Sequence, residues 1–490
     1  MLRKLLRVSG AQLQAEAGAK RVRRAPKAKV ATESGFPDDR LIRGLPAAPK
    51  FDLVDGIRHL HPYWSTYVAR VKGRWVGREI AEVFSHEFLA HNPNYAKAAI
   101  RKGRIFVNGK QVTDLRQKFK DNEEIVHICH KHEHQVLDRP IRTIFEDDRL
   151  LVVDKPPSLP VHACGQYRVH TVLGLLYQLE RRTGLAVVHR LDRTTSGVLI
   201  LAKTHEADVE TKKLLVTNQL KKAYVSRVRG RFFDDTQVCE APIDVLIPSM
   251  GVQCVRADGK TCRSTFRRIW YDAAADESAV LCHIETGRTH QIRVHLQFLG
   301  HPIVGDLIYD SAVWGPTGGK NAEYGRPLPQ LGVEVREEHS IQQWFNEKDP
   351  AYEQRLLDII EDPETKPEEW SLEDPRWDEK PEYDAICLSC NVIRKQPPPT
   401  HYAMPLHCWR YVSPSWAFTA PMPAWAWPPP PTATIVDFNP LELDDREVLP
   451  VEAEEKATDS SGDPPGDASE SLGDHAEDAD EKKAAGAASS

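Results

Sequence analysis

A nine-residue run at 189–197 places one carboxylate, Asp192, between two arginines. It reads His-Arg-Leu-Asp-Arg-Thr-Thr-Ser-Gly and lies between two short apolar stretches, 185–188 and 198–202. The second stretch is typical of a buried strand, and the Thr, Ser and Gly of the run favour a tight turn before it. An isolated aspartate in a turn often bonds only to nearby backbone. The two guanidinium groups favour an anionic ligand instead.

A second segment, 287–300, carries another candidate charge. It reads Gly-Arg-Thr-His-Gln-Ile-Arg-Val-His-Leu-Gln-Phe-Leu-Gly, with apolar residues at helical spacing. We expect a helix capped by Thr289 and ended by Gly300. Arg293 then lies near the helix N-terminus, where the helix dipole does not favour a cation. This placement indicates an anionic partner, although a simple surface arginine is the alternative.

The two segments together resemble the RluA-type pseudouridine synthases, whose HRLDxxTSG and GRTHQIRVHL blocks they match almost letter for letter. Residues 151–156 resemble the first strand and Lys-Pro turn of that family, and residues 222–225 resemble its Lys-x-Tyr strand. The blocks also follow the family's order. The resemblance covers residues 139–310, and residues 406–423 resemble the closing strands.

The resemblance implies an α+β fold, in which a mixed, mostly antiparallel sheet is flanked by helices. It also implies an isomerase that breaks the bond from ribose C1′ to N1 of uracil, turns the base and rejoins it through C5, without a cofactor. Asp192 corresponds to the catalytic carboxylate, which either attacks C1′ or helps to remove the 2′ proton; the sequence leaves both routes open. Either route needs an ionised carboxylate within near-attack distance.

The family pattern also implies roles for three other residues. Arg293 would pair bidentately with Asp192 and keep it ionised. Tyr224 would stack on the target base and help to remove the C5 proton. Arg190 would fill the gap that the flipped uridine leaves in the RNA, where unstacking costs about a few kcal/mol.

Residues 75–135 resemble an S4-like α/β RNA-binding module in front of the catalytic domain. A basic helix is followed by Gly-Arg-Ile-Phe-Val-Asn-Gly-Lys, in which Asn-Gly predicts a hairpin turn. The first helix of the module is less typical. Charge runs often face only solvent. The residues that we expect to face RNA phosphates are Lys97, Arg101, Lys102, Arg104 and Lys110.

The remaining segments differ in composition from the two domains. Residues 1–50 form a basic arm, with 9 Lys or Arg against 1 acidic residue in the first 30, and residues 441–490 form a tail with 16 acidic against 4 basic residues. We expect disorder in the tail, because its composition cannot bury a core. Residues 311–385 are interpreted as an acidic surface insertion, and residues 386–427 as the closing strands of the catalytic domain.

The cysteines carry a weaker metal signal. Cys387 and Cys390 form a Cys-x-x-Cys pair with His401, His407 and Cys408 nearby. One such pair with loosely spaced partners is weak evidence for zinc, and His407 falls on an expected core strand. The sequence therefore predicts no metal.

Composition limits the class of protein. The 490 residues carry a net charge of −6, and no apolar run approaches the roughly 18 residues of a membrane span. We expect a monomer that binds RNA and no membrane, in the cytoplasm, mitochondrion or nucleus, with the basic arm as transit peptide, nuclear signal or solvated tail. Residues 73–77, and the ending from the Cys-x-x-Cys pair to Pro-Met-Pro-Ala-Trp, resemble most the eukaryotic branch of the family that acts on tRNA. This resemblance implies tRNA as the substrate, at the uridine that opens the anticodon loop (position 32). Ribosomal or messenger RNA stays open, as does a non-catalytic RNA-binding assembly factor.

Overall fold

The protein is described by a computed structural model that covers residues 45, 48–87, 93–339, 345–370, 372 and 380–436. The acidic tail and nearly all of the basic arm lie outside these residues. Within them, no helix combines the length and the apolar character needed to cross a bilayer.

The front module combines two helices with two small antiparallel sheets. Strands β3, β6, β4 and β5 pair in that order, and β1, β2 and β7 form the other sheet. The Asn108–Gly109 turn has positive φ at both residues, as the predicted hairpin requires. The elements are β1 (Phe51–Val54), β2 (Ile57–Leu60), β3 (Tyr63–Arg70), α1 (Ile80–Glu87), α2 (Pro93–Arg101), β4 (Ile105–Val107), β5 (Lys110–Gln111), β6 (Glu124–Lys131) and β7 (Val136–Leu137).

The catalytic domain is built on one large sheet whose strands run in the order β13, β16, β17, β12, β20, β11, β9 and β8. Its elements up to the second sequence block are β8 (Arg142–Glu146), β9 (Leu150–Lys155), α3 (Val172–Glu180), β10 (Ala186–Val187), β11 (Ser196–Ala202), α4 (His205–Val216), β12 (Lys221–Arg229), β13 (Gln237–Cys239), β14 (Ile243–Ile247), β15 (Val252–Val255), β16 (Ser264–Asp272), β17 (Glu277–Ile284) and α5 (Gln291–Phe298).

The rest of the chain returns to the same sheet. Its elements are α6 (Leu328–Glu338), β18 (Phe345–Lys348), α7 (Tyr352–Glu361), β19 (Val392–Arg394), α8 (Pro399–Tyr402), β20 (Leu406–Val412), β21 (Ala417–Thr419) and β22 (Ala433–Ile435). Strand β20 pairs in parallel with β11 and antiparallel with β12, so the predicted closing strand lies inside the sheet. The expected mixed, mostly antiparallel sheet flanked by helices is confirmed.

Strand β11 is buried on both faces. Val198 and Ile200 pack into one apolar cluster, and Leu199 and Leu201 into another on the opposite side, where α3 also packs. Successive side chains of a strand point to opposite faces, so a continuous apolar run suits a strand covered on both sides. This burial holds rigid the strand that follows Asp192.

The interpretation of residues 311–385 as a surface insertion is wrong. Leu331 and Val335 of α6 are fully buried against the β14–β15 hairpin, and Tyr352 and Leu356 of α7 are fully buried in the core of the front module beside α2. The segment is acidic overall, but its apolar residues recur at helical spacing and form buried faces. The insertion therefore completes two separate cores.

Candidate active site

Asp192 lies in the loop between β10 and β11. The N–H of Thr195 donates to the carbonyl oxygen of Asp192 at 3.1 Å, which closes the predicted turn. At Gly197, φ is +108°, and a Cβ atom would lie 2.0 Å from the carbonyl oxygen of Cys408. Only glycine fits this close backbone approach. The loop that carries Asp192 is thus seated directly on β20.

Helix α5 begins later than the sequence predicts. Its N-cap is His290 with φ of +57°, so the expected cap at Thr289 is wrong. The left-handed residue turns the chain into the helix, and the side chain of Gln291 accepts a hydrogen bond from the N–H of Arg288 at 3.0 Å. The helix ends before Gly300, as expected. Arg293 lies in the first helical turn, next to the Asp192 loop.

Arg293 bridges two carboxylates. Its Nη1 donates to Oδ2 of Asp192 at 3.2 Å, whereas Nε and Nη2 donate to the two oxygens of Asp306 at 2.7 and 2.9 Å. The expected bidentate pairing of Arg293 with Asp192 is therefore wrong, because Arg293 makes its bidentate pair with Asp306 instead. Asp192 receives a single hydrogen bond from Arg293 and keeps 23% of its side chain exposed. The arrangement leaves a carboxylate accessible beside a fixed cation.

Asp306 is fixed on its other side by backbone. Its Oδ1 accepts the N–H groups of Ile308 and Tyr309 at 3.0 and 3.1 Å, and only 1% of its side chain is exposed. The Arg293 guanidinium also lies 4.8 Å from the ring centre of Tyr309. Further hydrogen bonds of this kind offset the cost of removing a charge pair from water. Asp306 and Tyr309 thus set the orientation of Arg293.

The electrostatic environment keeps Asp192 ionised. Burial acts to raise the pKa of Asp192, but His290 and Arg293 outweigh it, and Arg190 acts in the same direction, so the pKa lies below its usual value. Burial lowers the pKa of His290 to about 4, with Arg293 adding to the effect. His290 is therefore neutral at pH 7, and its charge affects Asp192 only in acid, where both groups titrate. At pH 7 Arg293 and Arg190 are the positive charges that favour the ionised form of Asp192.

His290 occupies a strained position with a compensating contact. Its left-handed φ is uncommon for a residue with a side chain, and such outliers cluster at functional sites. Its Nδ1 lies 2.9 Å from the hydroxyl of Tyr309, and its Nε2 lies 3.8 Å from Oδ2 of Asp192. His290 therefore presents a neutral imidazole next to the exposed carboxylate.

The amine of Lys155 is buried beside the loop that carries Asp192. Its Nζ donates to the carbonyl oxygens of Pro156, Leu159 and Arg193 at 3.0, 2.8 and 3.3 Å. Burial lowers its pKa to about 7, and Asp192 acts in the opposite direction. The three carbonyl groups match the three N–H bonds of an ammonium. Lys155 ties the Lys-Pro turn to the loop that carries Asp192.

Tyr224 lies on β12 in the apolar cluster that also contains Leu191, the neighbour of Asp192. Its hydroxyl lies 3.5 Å from the hydroxyl of Tyr411, which lies 3.2 Å from Nδ1 of His189. The pKa of Tyr224 is raised well above its usual value by burial and by Cys408 and Tyr411. Tyr224 is thus linked to the first sequence block through Tyr411 and stays protonated at neutral pH.

The residues expected to contact RNA lie in different environments. Arg190 and Lys110 are exposed, while Lys97, Arg101 and Lys102 are half-buried. The Nζ of Lys102 lies 3.8 Å from a carboxylate oxygen of Glu368 in the insertion. All five side chains thus keep partial or full exposure, Arg190 next to Asp192 and the other four on the front module, and Lys102 does so next to an acidic neighbour.

Arg104 does not face RNA, and this expectation is wrong. Only 3% of the residue is exposed. It makes two hydrogen bonds to Asp384 at 2.8 and 3.1 Å and two to Glu368 at 3.0 Å, and it lies over the ring of Trp64. A basic residue in a basic run was expected to be solvated, but the acidic insertion folds back onto it. Arg104 fastens the insertion to the front module.

The candidate metal ligands of the sequence separate into different places. Cys408 is fully buried in β20, and Nδ1 of His407 lies 2.8 Å from the hydroxyl of Ser196. Among the described residues, Cys387 and Cys390 instead lie with His130 and His132, which the sequence did not single out.

Comparison with known proteins identifies the family. Residues 149–298 match the family model of RNA pseudouridylate synthase. The chain is 36% identical over 398 residues to pseudouridylate synthase RPUSD2 of Mus musculus, which covers 76% of this chain and 72% of that protein. The chain belongs to the RNA pseudouridylate synthase family. It is an isomerase that forms pseudouridine in RNA, and the resemblance to RluA-type enzymes is confirmed.

Two further relatives of this synthase extend over much of the chain. An uncharacterized protein of Caenorhabditis elegans is 52% identical over 384 residues, or 78% of this chain and 88% of that protein. The mitochondrial tRNA pseudouridine(32) synthase of Saccharomyces cerevisiae is 36% identical over 309 residues, or 61% of this chain and 65% of that protein. The family model does not reach the front module, so its S4-like character stays a prediction.

Sequence reasoning missed three residues of the site, Asp306, Tyr309 and His290. His290 stands inside the second block and Asp306 follows Gly305 shortly after it. A second acid close to a basic helix was the available signal. That signal does not show which carboxylate, Asp192 or Asp306, would accept the paired hydrogen bonds from Nε and Nη2 of Arg293.

Proposed function

We propose that this synthase modifies tRNA at the uridine that opens the anticodon loop, position 32. A relative named for that reaction, tRNA pseudouridine(32) synthase, supports this substrate. The substrate is also chemically suitable, because sequence-specific RNA recognition mostly targets single-stranded loops whose bases can be unstacked. Residues 1–440 carry 61 basic and 55 acidic residues, which suits a polyanionic ligand.

In this proposal Asp192 is the catalytic carboxylate. The partly exposed Asp192 carboxylate, held by one hydrogen bond from Arg293, is the observation that carries the proposal. It would either form a bond to ribose C1′ as the C1′–N1 bond breaks, or remove the 2′ proton as uracil leaves. In both routes uracil departs with the electron pair of the broken bond and turns while it is held by the enzyme. Its C5 then bonds to C1′; this step displaces the Asp192 carboxylate in the first route and is accompanied by return of the proton to C2′ in the second. Loss of the C5 proton then gives pseudouridine.

Arg293 and Asp306 together keep the Asp192 carboxylate ionised and accessible. A substrate bound at Asp192 excludes water and disfavours the charged form of the carboxylate, and the nearby guanidinium opposes this effect. Because Asp306 holds the guanidinium through two hydrogen bonds, Arg293 cannot close bidentately over Asp192. Asp192 therefore stays both ionised and free to approach the sugar.

Tyr224 and Arg190 act on the bases in this proposal. The raised pKa of Tyr224 favours stacking of its ring on uracil over proton removal by a phenolate. The exposed Arg190, next to the Asp192 loop, would enter the RNA stack as the uridine leaves it.

The front module would hold the RNA backbone through Lys97, Arg101 and Lys110. Lys102 contributes less, because Glu368 lies beside it. We further propose that the enzyme acts as a monomer and that its basic arm directs it to the mitochondrion or the nucleus. Import assays with and without residues 1–44 test this location.

The decisive experiment is site-resolved pseudouridine mapping of total RNA incubated with the full chain or with Asp192→Asn. The wild-type enzyme should modify position 32 of tRNA. The variant should lose at least about 10²-fold in rate while binding RNA within a few fold of the wild type. Asp258→Asn is the matched control, because that side chain is 71% exposed.

Each alternative gives a different result. Sites confined to ribosomal or messenger RNA would refute the tRNA assignment and keep the activity. Undiminished turnover in Asp192→Asn would refute the role of Asp192. RNA binding by the wild type with no pseudouridine in any RNA would favour a non-catalytic assembly factor.

A further inference from the structure

Four metal-ligating side chains meet where the segment directly after the insertion lies against strand β6 of the front module. His130 is in β6 and His132 follows it, and alternate residues of an extended chain point to the same side. Cys387 and Cys390 flank the first turn of a 3-10 helix about 250 residues later in the chain. One ligand atom of each residue lies within 4.8 Å of all the others.

The distances among these atoms are close to those of a tetrahedral site. Sγ of Cys390 lies 3.2 Å from Nδ1 of His130 and 3.2 Å from Nε2 of His132, and the two nitrogens lie 3.3 Å apart. Zinc bond lengths of about 2.3 Å to sulfur and about 2.0 Å to nitrogen give tetrahedral edges of about 3.5 Å for S···N and about 3.3 Å for N···N. The three separations differ from these edges by at most about 0.3 Å. The ligand atom of Cys387 lies within 4.8 Å of the other three.

The surroundings also fit a bound cation. Sγ of Cys390, Nδ1 of His130 and Nε2 of His132 face one another in a partly buried site, and each carries a lone pair. One cation can accept all three lone pairs at once, which offsets the cost of burying these polar atoms. The N–H of Asp384 points to Sγ of Cys390 at 3.4 Å, a contact that stabilises a thiolate. The Asp384 carboxylate is bound to Arg104 and is not available as a fifth ligand.

We propose that His130, His132, Cys387 and Cys390 bind one structural zinc ion. Two sulfur and two nitrogen ligands in tetrahedral arrangement are typical of zinc, and four protein ligands leave no open position for catalysis. The ion would join the front module to the segment that begins the predicted closing strands, at residues other than those of the Asp192 site, and the proposal does not depend on which RNA is the substrate. This proposal replaces the expectation of a metal-free protein.

Metal analysis of the full chain, purified without chelator, tests the proposal. We expect about one zinc per chain in the wild type and in Cys164→Ser, whose cysteine is exposed and outside the cluster. The double variant Cys387→Ser with Cys390→Ser should hold less than about a tenth of that amount. Equal zinc in the double variant, or none in the wild type, would overturn the proposal.

A second measurement needs no variant and is therefore independent of folding defects. After exchange of the metal for Co²⁺, the wild type should show thiolate-to-cobalt charge-transfer absorption and the strong visible bands of a tetrahedral ion. Chelator should abolish these bands and lower the melting temperature, and added Zn²⁺ should restore it. Absence of the charge-transfer band, or an intact mass showing a Cys387–Cys390 disulfide, would contradict zinc binding.

Discussion

The shared guanidinium of Arg293 makes a specific prediction for Asp306→Asn. The substitution keeps the size of the side chain and its acceptor for the N–H groups of Ile308 and Tyr309. It removes the negative charge of Asp306 from an ion pair in which 7% of the Arg293 side chain and 1% of the Asp306 side chain are exposed. It also places an amide N–H of the new asparagine against the Nε–H of Arg293. Breaking a buried pair in this way costs about 3–5 kcal/mol. We expect the free energy of unfolding to fall by about that amount.

Asp306→Asn should also lower the rate of pseudouridine formation. Without the Asp306 fork, Arg293 can turn toward Asp192 and engage both of its oxygens, which displaces the carboxylate from the sugar. A displacement of about 1 Å costs about 10²-fold in rate. We expect this loss in the single-turnover rate of tritium release from RNA labelled at uracil C5, with the Kd for RNA within a few fold of the wild type.

Urea unfolding followed by circular dichroism measures the stability change, and Asp310→Asn is the matched control. Asp310 pairs with Arg229, with 18% and 50% of the two side chains exposed, and asparagine keeps an oxygen that can accept the N–H of Gly305. Loss of this partly solvated ion pair should cost less than about 1 kcal/mol. The reasoning is refuted if Asp306→Asn unfolds within 1 kcal/mol of the wild type and turns over at the wild-type rate.

Three further predictions concern other residues. Lys97→Ala with Lys110→Ala should weaken RNA binding and reduce the slope of log K against log salt by about 1 to 2, and an unchanged slope would exclude them as phosphate contacts. Arg104→Met should lower the free energy of unfolding by about 3–5 kcal/mol, because it strands the buried Asp384, and should leave the salt slope intact. Tyr224→Phe should keep its rate within about tenfold, since the ring remains; a loss above about 10²-fold would show that the phenol moves a proton.

The two sequence blocks predicted the main elements of the site because their patterns are local. The tight turn after Asp192, the buried strand β11 and the helix that carries Arg293 follow from residue types within a few positions of one another. The Asn108–Gly109 hairpin turn was predictable for the same reason.

The parts that sequence could not predict depend on residues that are distant along the chain or compete for one partner. Asp306 and Asp192 are both suitable acceptors for Arg293, and only the packing of the folded chain decides which one receives two hydrogen bonds from its guanidinium group. Cys387 and Cys390 have their neighbours at His130 and His132, too far away for any spacing rule. Arg104 was misassigned because the acids that bury it lie in a segment interpreted as surface.

The placement of α7 affects how the polypeptide can be made. The front module is translated first, yet its interior contains Tyr352 and Leu356, and Arg104 receives its partner Asp384 later still. Domains usually fold as they leave the ribosome. The front module cannot complete its core at that stage, and part of its apolar surface stays uncovered while about 250 further residues are synthesised. At about 5–20 residues per second this delay lasts on the order of tens of seconds, an interval in which chaperones can act.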